Sequence, residues 1–181
     1  SIKEKITWKG RLTKLGSGTL ALGGAAPAFV TKDGTVPMAN SNVLAVAEGR
    51  LKPLSAEAFT GLAVTLASGT GIAVDVPADT TDGVGKYGML LTGAGSSLTV
   101  QGTEVPVSID VPEGVVAKSQ FVPICTVSTE AAGALRGKFV LAADVRAAFD
   151  GSVTIEERAD AVADTVTFGA KLTRGMVLIL R

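Results

Sequence analysis

Histidine is absent from this 181-residue chain. That removes the commonest general base, the commonest metal ligand and the usual side chain for sensing pH near neutrality. Cysteine occurs once, at Cys125, so neither an intrachain disulfide nor a thiolate metal cage can form. Aromatic residues are scarce, with one Trp, one Tyr and six Phe, which counts against a sugar-binding surface built on stacked rings. No apolar run approaches the roughly 18 residues that a membrane-spanning helix needs, because Gly, Thr, Asp and Lys interrupt every such stretch. The 17 basic and 17 acidic residues cancel, so the cationic footprint expected of a nucleic-acid or anionic-membrane binder is missing. Partners of those two kinds, and a transmembrane segment, are not expected.

What the chain does have is Gly, Ala, Val and Leu in a recurring arrangement. Leu12-Thr-Lys-Leu-Gly-Ser-Gly-Thr-Leu-Ala-Leu-Gly-Gly24 sets the pattern: a short apolar run, a glycine turn, then a second run. Weakened forms follow at 47–54, 67–74 and 93–100. Self-similarity at such spacing is the mark of stacked repeat units, and small or β-branched residues suit the narrow core between short strands. Leu20, Leu22, Leu51, Ile72 and Val74 are expected to stack as inward ladders. Residues 25–42, with Pro27, Pro37 and Asp33-Gly34, form an excursion carrying one short strand near Ala28–Thr31.

Past Glu104 the runs lengthen, with strands expected at Val105–Val111, Gln120–Val127, Val153–Glu157, Thr165–Leu172 and Met176–Leu180. Thr129–Gly137 reads as helical, capped by Thr129, and Ser55 is placed to cap a short helical turn. The fold expected is therefore all-β: stacked β coils over residues 1–102, then a mostly antiparallel capping region over 103–181, with a β-sandwich as the rival. The chain opens Ser1-Ile-Lys without Met and is read as a processed form or a fragment.

The segment Leu12–Gly24 resembles the autotransporter-associated β-strand repeat of large bacterial surface and secreted proteins. Leu12, Thr13, Lys14, Gly16, Gly18, Thr19, Leu20, Leu22 and Gly24 match its form Leu-Thr-Lys-x-Gly-x-Gly-Thr-Leu-x-Leu-x-Gly. The resemblance extends over about residues 8–76. It implies a short right-handed parallel β-helix (β-solenoid), exported, and structural or adhesive in role. The family's membrane-barrel translocator is not expected within these 181 residues.

Candidate chemistry is sparse. Asp75, Asp79 and Asp82 lie at or in one loop with Gly83 and Gly85 and offer oxygen ligands for Ca²⁺, although their spacing matches no Ca²⁺-loop signature. Glu156, Glu157, Asp160 and Asp164, with Arg158 among them, form an acidic cluster that a glycosidase reading would use as paired carboxylates; the bland reading is a solvated loop. Gly93-Ala-Gly-Ser-Ser-Leu98 lacks the Lys of a phosphate loop, and no serine has a histidine partner. Cys125 reads as a buried strand residue sharing a face with Phe121, Pro123 and Val127. Lys14 and Lys171 read as charges that protect strand edges.

No cofactor is expected. The chain is read as a non-enzymatic extracellular module of a bacterial surface protein or fibre, self-associating or packed on neighbouring coils of a longer protein, with Ile6 and Trp8 as the contact face. A virion or appendage subunit, such as a phage decoration or pilin-like protein, is the alternative; a carbohydrate-binding β-domain is the other.

Overall fold

Short runs in which Leu, Val and Ile alternate with polar residues favour half-buried strands, and the glycines between them favour tight turns. The computed structural model describes residues 10–23, 29–31, 34–36, 42–77, 88–111, 119–148 and 152–173. It is mostly β. In chain order the elements are β1 (Arg11–Lys14), β2 (Thr19–Leu22), β3 (Phe29–Thr31), β4 (Gly34–Val36), β5 (Val43–Val46), β6 (Arg50–Pro53), a 3-10 turn (Ala56–Phe59), β7 (Ala63–Leu66), β8 (Gly71–Asp75), β9 (Met89–Leu91), β10 (Ser97–Val100), β11 (Val105–Asp110), β12 (Gln120–Ser128), α1 (Thr129–Ala132), β13 (Phe139–Leu141), α2 (Ala143–Ala148), β14 (Val153–Asp160) and β15 (Thr165–Leu172).

Two sheets are wholly parallel. The first runs β1-β5-β7-β10 and the second β13-β11-β8-β6-β2. In the first, Leu12, Leu44, Val64 and Leu98 fall in one register column. In the second, Leu20, Leu51, Ile72, Val107 and Leu141 do the same. Leu44, Val64, Leu51, Ile72 and Val107 are fully buried, and each such side chain contributes about 1.5–3 kcal/mol when removed from water. Four pairs of consecutive strands each place one strand in the first sheet and the next in the second, and each pair forms a layer: β1–β2, β5–β6, β7–β8 and β10–β11.

The third sheet, β14-β15-β12-β9, is mixed: β12 pairs parallel to β9 but antiparallel to β15, which pairs antiparallel to β14. Strands on either side of residue 102 are hydrogen-bonded to each other, β8 with β11 and β9 with β12. One apolar cluster, including Val64, Ile72, Val107, Ile124 and Phe168, joins all three sheets. No helix among the described residues is long and apolar enough to cross a membrane.

Several local expectations are corrected. Pro123 sits in β12, and the register against β15 slips between Pro123 and Cys125. An extra residue at that point flips the alternation. Cys125 consequently shares the inner face with Val122 and Val127, opposite Phe168, Ala170 and Val166, while Phe121 and Pro123 lie on the outer face. The α1 helix is one turn long and its cap is Ser128, whose hydroxyl accepts from the Ala131 N–H at 3.3 Å, not Thr129. Ser55 precedes the 3-10 turn but its side chain makes no cap bond to it. Lys171 lies on β15, which is flanked by β14 and β12, so it guards no edge; it pairs with Glu156 at 3.0 Å.

Candidate functional site

The most organised polar geometry is the corner that links the two parallel sheets. In each layer a few residues leave the first sheet and enter the second, and in the first three a glycine with positive φ makes the reversal: Gly16 at +78°, Gly49 at +75°, Gly69 at +80°. Backbone bonds join the corners vertically. Ala47 N–H donates to the Lys14 carbonyl at 3.0 Å, Ala67 to Val46 at 2.9 Å and Gln101 to Leu66 at 2.9 Å. On the far side of the corner Arg50 donates to Gly18 at 3.2 Å and Gly71 to Gly49 at 3.0 Å.

Side chains reinforce the uppermost corner. The Glu48 carboxylate accepts from the Gly16 N–H at 3.0 Å. Lys14 donates to the Leu15 carbonyl at 3.2 Å and to the Gly16 carbonyl. Lys14 is the register partner of Val46, so its stem lies on the core-facing side of β1 while its ammonium folds onto the corner. The space is tight below: a Cβ on Gly49 would lie 2.7 Å from the Gly16 carbonyl oxygen and from Lys14 Nζ.

A second stack of corners precedes the first sheet. Asn42, buried at 2% exposure, accepts from the Gly10 N–H through Oδ1 at 3.2 Å, and its carbonyl accepts from Ala63 at 3.0 Å. The Gly93–Ser96 turn belongs here: Ser96 Oγ accepts from the Gly61 N–H at 2.8 Å. Thus 93–100 is not a fourth copy of the sheet-to-sheet corner, which in that layer falls at 101–104 between β10 and β11. Its serine has a structural partner where a phosphate-loop reading would have left it open.

Of the matched repeat positions, Leu12, Thr13 and Lys14 lie in β1, Gly16 and Gly18 in the corner, and Thr19, Leu20 and Leu22 in β2. Gly24, Ile6 and Trp8 lie outside the described residues, as do Asp79 and Asp82. Asp75 is described, and a lysine already occupies it. Lys52 Nζ stands 2.7 Å from Asp75 and 2.8 Å from Asp110, its register neighbour in the next layer. Partial burial alone would lower the Lys52 pKa, but the hydrogen bonds and attraction of Asp110 and Asp75 outweigh it, and the net pKa is raised. Among the described residues no group of three or more carboxylates or thiols is gathered to hold a metal.

The acidic cluster is divided by strand geometry. Glu156, Arg158 and Asp160 alternate onto one face of β14, and Glu157 faces the other way. Glu156 pairs with Lys171 and Glu157 with Arg136 at 3.1 Å, both partly exposed. Asp160 accepts from the Val162 and Ala163 N–H groups at 3.0 and 3.1 Å and so shapes the hairpin turn, where Asp164 has φ +50°. Arg158 lies 4.0 Å above the Phe121 ring. A shallow cleft of about 340 Å³ lies between Arg136, Phe139, Ile155, Glu157 and Phe168, with the Arg136–Glu157 pair at its rim. Cys125 is fully buried, and burial pushes its thiol pKa far up, away from reactivity.

Comparison with protein-family models, with curated proteins and with solved structures finds no match to the chain. Sequence reasoning missed Asn42, Glu48, Lys52 and Asp110 as organising residues. Asn42 stands immediately before an apolar strand, a usual place for a side chain that bonds turn backbone.

Proposed function

We propose that the chain is a non-enzymatic structural or adhesive module of an extracellular bacterial surface protein, wound as a β-helix of the autotransporter-repeat kind. The observation that carries this reading is the in-register stacking of β1–β2, β5–β6 and β7–β8 with their glycine corners bonded one above another. A stack of this kind grows by adding layers, buries apolar side chains in columns and leaves a polar outer face, the requirements of an extended surface scaffold. The carboxylates at Asp75, Asp110, Glu156 and Glu157 support the same reading, since each is engaged by a lysine or arginine.

Surface labelling of intact bacteria that make the protein tests it. A membrane-impermeant amine reagent should label lysines such as Lys171 before lysis. Labelling seen only after lysis would overturn the extracellular assignment.

A further inference from the structure

Among the described strands, β13 ends the second sheet and β14 ends the third, and the cleft of about 340 Å³ opens between them. Register sets Ile155 opposite Ala170 and Glu157 opposite Phe168, so Ile155, Glu157 and Phe168 share one face. Phe139 reaches the same space from β13, with its ring 5.4 Å from that of Phe168 at an angle of 50°. Both rings are buried, so the floor of the cleft is apolar and held in place.

The rim carries charges that are only half used. Arg136 gives its Nε–H to Glu157 Oε2 at 3.1 Å, and its two terminal nitrogens have no partner among the described residues. The Gly137 N–H lines the cleft beside them and donates to no described group, and nothing lies within 4 Å of a Cβ placed on Gly137. Glu157 Oε1 is likewise unengaged among the described residues. Glu156, the remaining charge at the cleft, is matched by Lys171 at 3.0 Å. A ligand with a single charge would therefore meet an opposite and a like charge side by side at this balanced rim. A ligand carrying both charges would find a partner for each.

We propose that the cleft binds a free α-amino acid with an apolar side chain. Its carboxylate takes the terminal nitrogens of Arg136, whose planar fork suits a carboxylate, together with the Gly137 N–H. Its ammonium takes Glu157 Oε1, and its side chain lies on Phe139, Ile155 and Phe168. Ligand pockets commonly measure about 300–1,000 Å³, so a cleft at the lower end of that range suits a ligand this small. The inference is independent of the surface-scaffold reading.

Titration of the whole chain, followed by the NMR shifts of its backbone amides, tests this with L-phenylalanine as the probe. Saturable shifts are expected at Gly137, Phe139, Glu157 and Phe168, with β1 and β5 unchanged. 3-Phenylpropionate lacks the ammonium, phenethylamine the carboxylate and glycine the apolar body; each should bind at least about tenfold more weakly than L-phenylalanine. An exposed ion pair adds little to stability, so Arg136→Met and Glu157→Gln should both fold. Arg136→Met should weaken L-phenylalanine and 3-phenylpropionate about tenfold and spare phenethylamine. Glu157→Gln should weaken L-phenylalanine and phenethylamine and spare 3-phenylpropionate. No saturable shift at the cleft up to the solubility of L-phenylalanine would overturn the proposal. So would 3-phenylpropionate or phenethylamine binding as tightly as L-phenylalanine, or variants that leave every affinity unchanged.

Discussion

At the scale of single residues, glycine conformation and burial set the strongest expectations. Gly49→Ala combines a φ of +75° with collision against the corner above, and should cost about 2–4 kcal/mol in chemical denaturation. Gly18→Ala, at an ordinary φ and in open space, should stay within about 0.5 kcal/mol of the parent. Gly169 gives a second test: a Cβ there would collide with the Phe121 ring, so Gly169→Ala should displace that ring and weaken its contact with Arg158. The lysine between Asp75 and Asp110 has a pH signature. Because its folded pKa is raised, its stabilisation is fully present below the unfolded value of about 10.4 and is lost as pH rises through the folded pKa. Lys52→Met should therefore be less stable than the parent at pH 7, and the gap measured in urea should close at strongly alkaline pH. Cys125 should resist thiol reagents in the native protein and react on unfolding.

At the scale of elements, the corners hold more of the architecture than the helices do. Asn42→Ala removes the acceptor of the Gly10 N–H in a buried setting, and should cost about 1–3 kcal/mol while raising exchange at Gly10 and leaving β14–β15 unchanged. The glycine corners were legible in the chain at 12–24, 47–54 and 67–74, because a positive-φ turn between two apolar runs has few other uses. The stretch 93–100 looked the same but serves the other corner, since a glycine turn does not reveal which sheets it joins. Strict alternation from Phe121 and Pro123 places Cys125 on their face, but the register slips between Pro123 and Cys125 and turns Cys125, with Val127, to the inner face. Met176–Leu180, expected as a strand, lies outside the described residues. The acidic run 156–164 looked like a cluster only in one dimension; a period of two sends Glu156 and Glu157 to opposite faces. Lys52 and Asp110 were invisible as a pair, being brought together only by the stacking of β6, β8 and β11.

At the scale of the whole molecule, unequal chain lengths between register partners are absorbed outside the two parallel sheets, in the 3-10 turn Ala56–Phe59 and in β9 and β12 of the third sheet. The columns of Leu, Val and Ile therefore stay in register although the repeat is irregular. The antiparallel pair β14–β15 adjoins the parallel layers through β12, and the β1–β2 layer forms the opposite margin of the first two sheets. The most direct check is cryo-electron microscopy of protein isolated from its own cells, with surface and cytosolic fractions kept apart. Elongated particles from the surface fraction, with a layer spacing of about 4.8 Å along the axis, are the expected result. Compact particles without that spacing, recovered from the cytosol, would contradict a surface scaffold of stacked β layers.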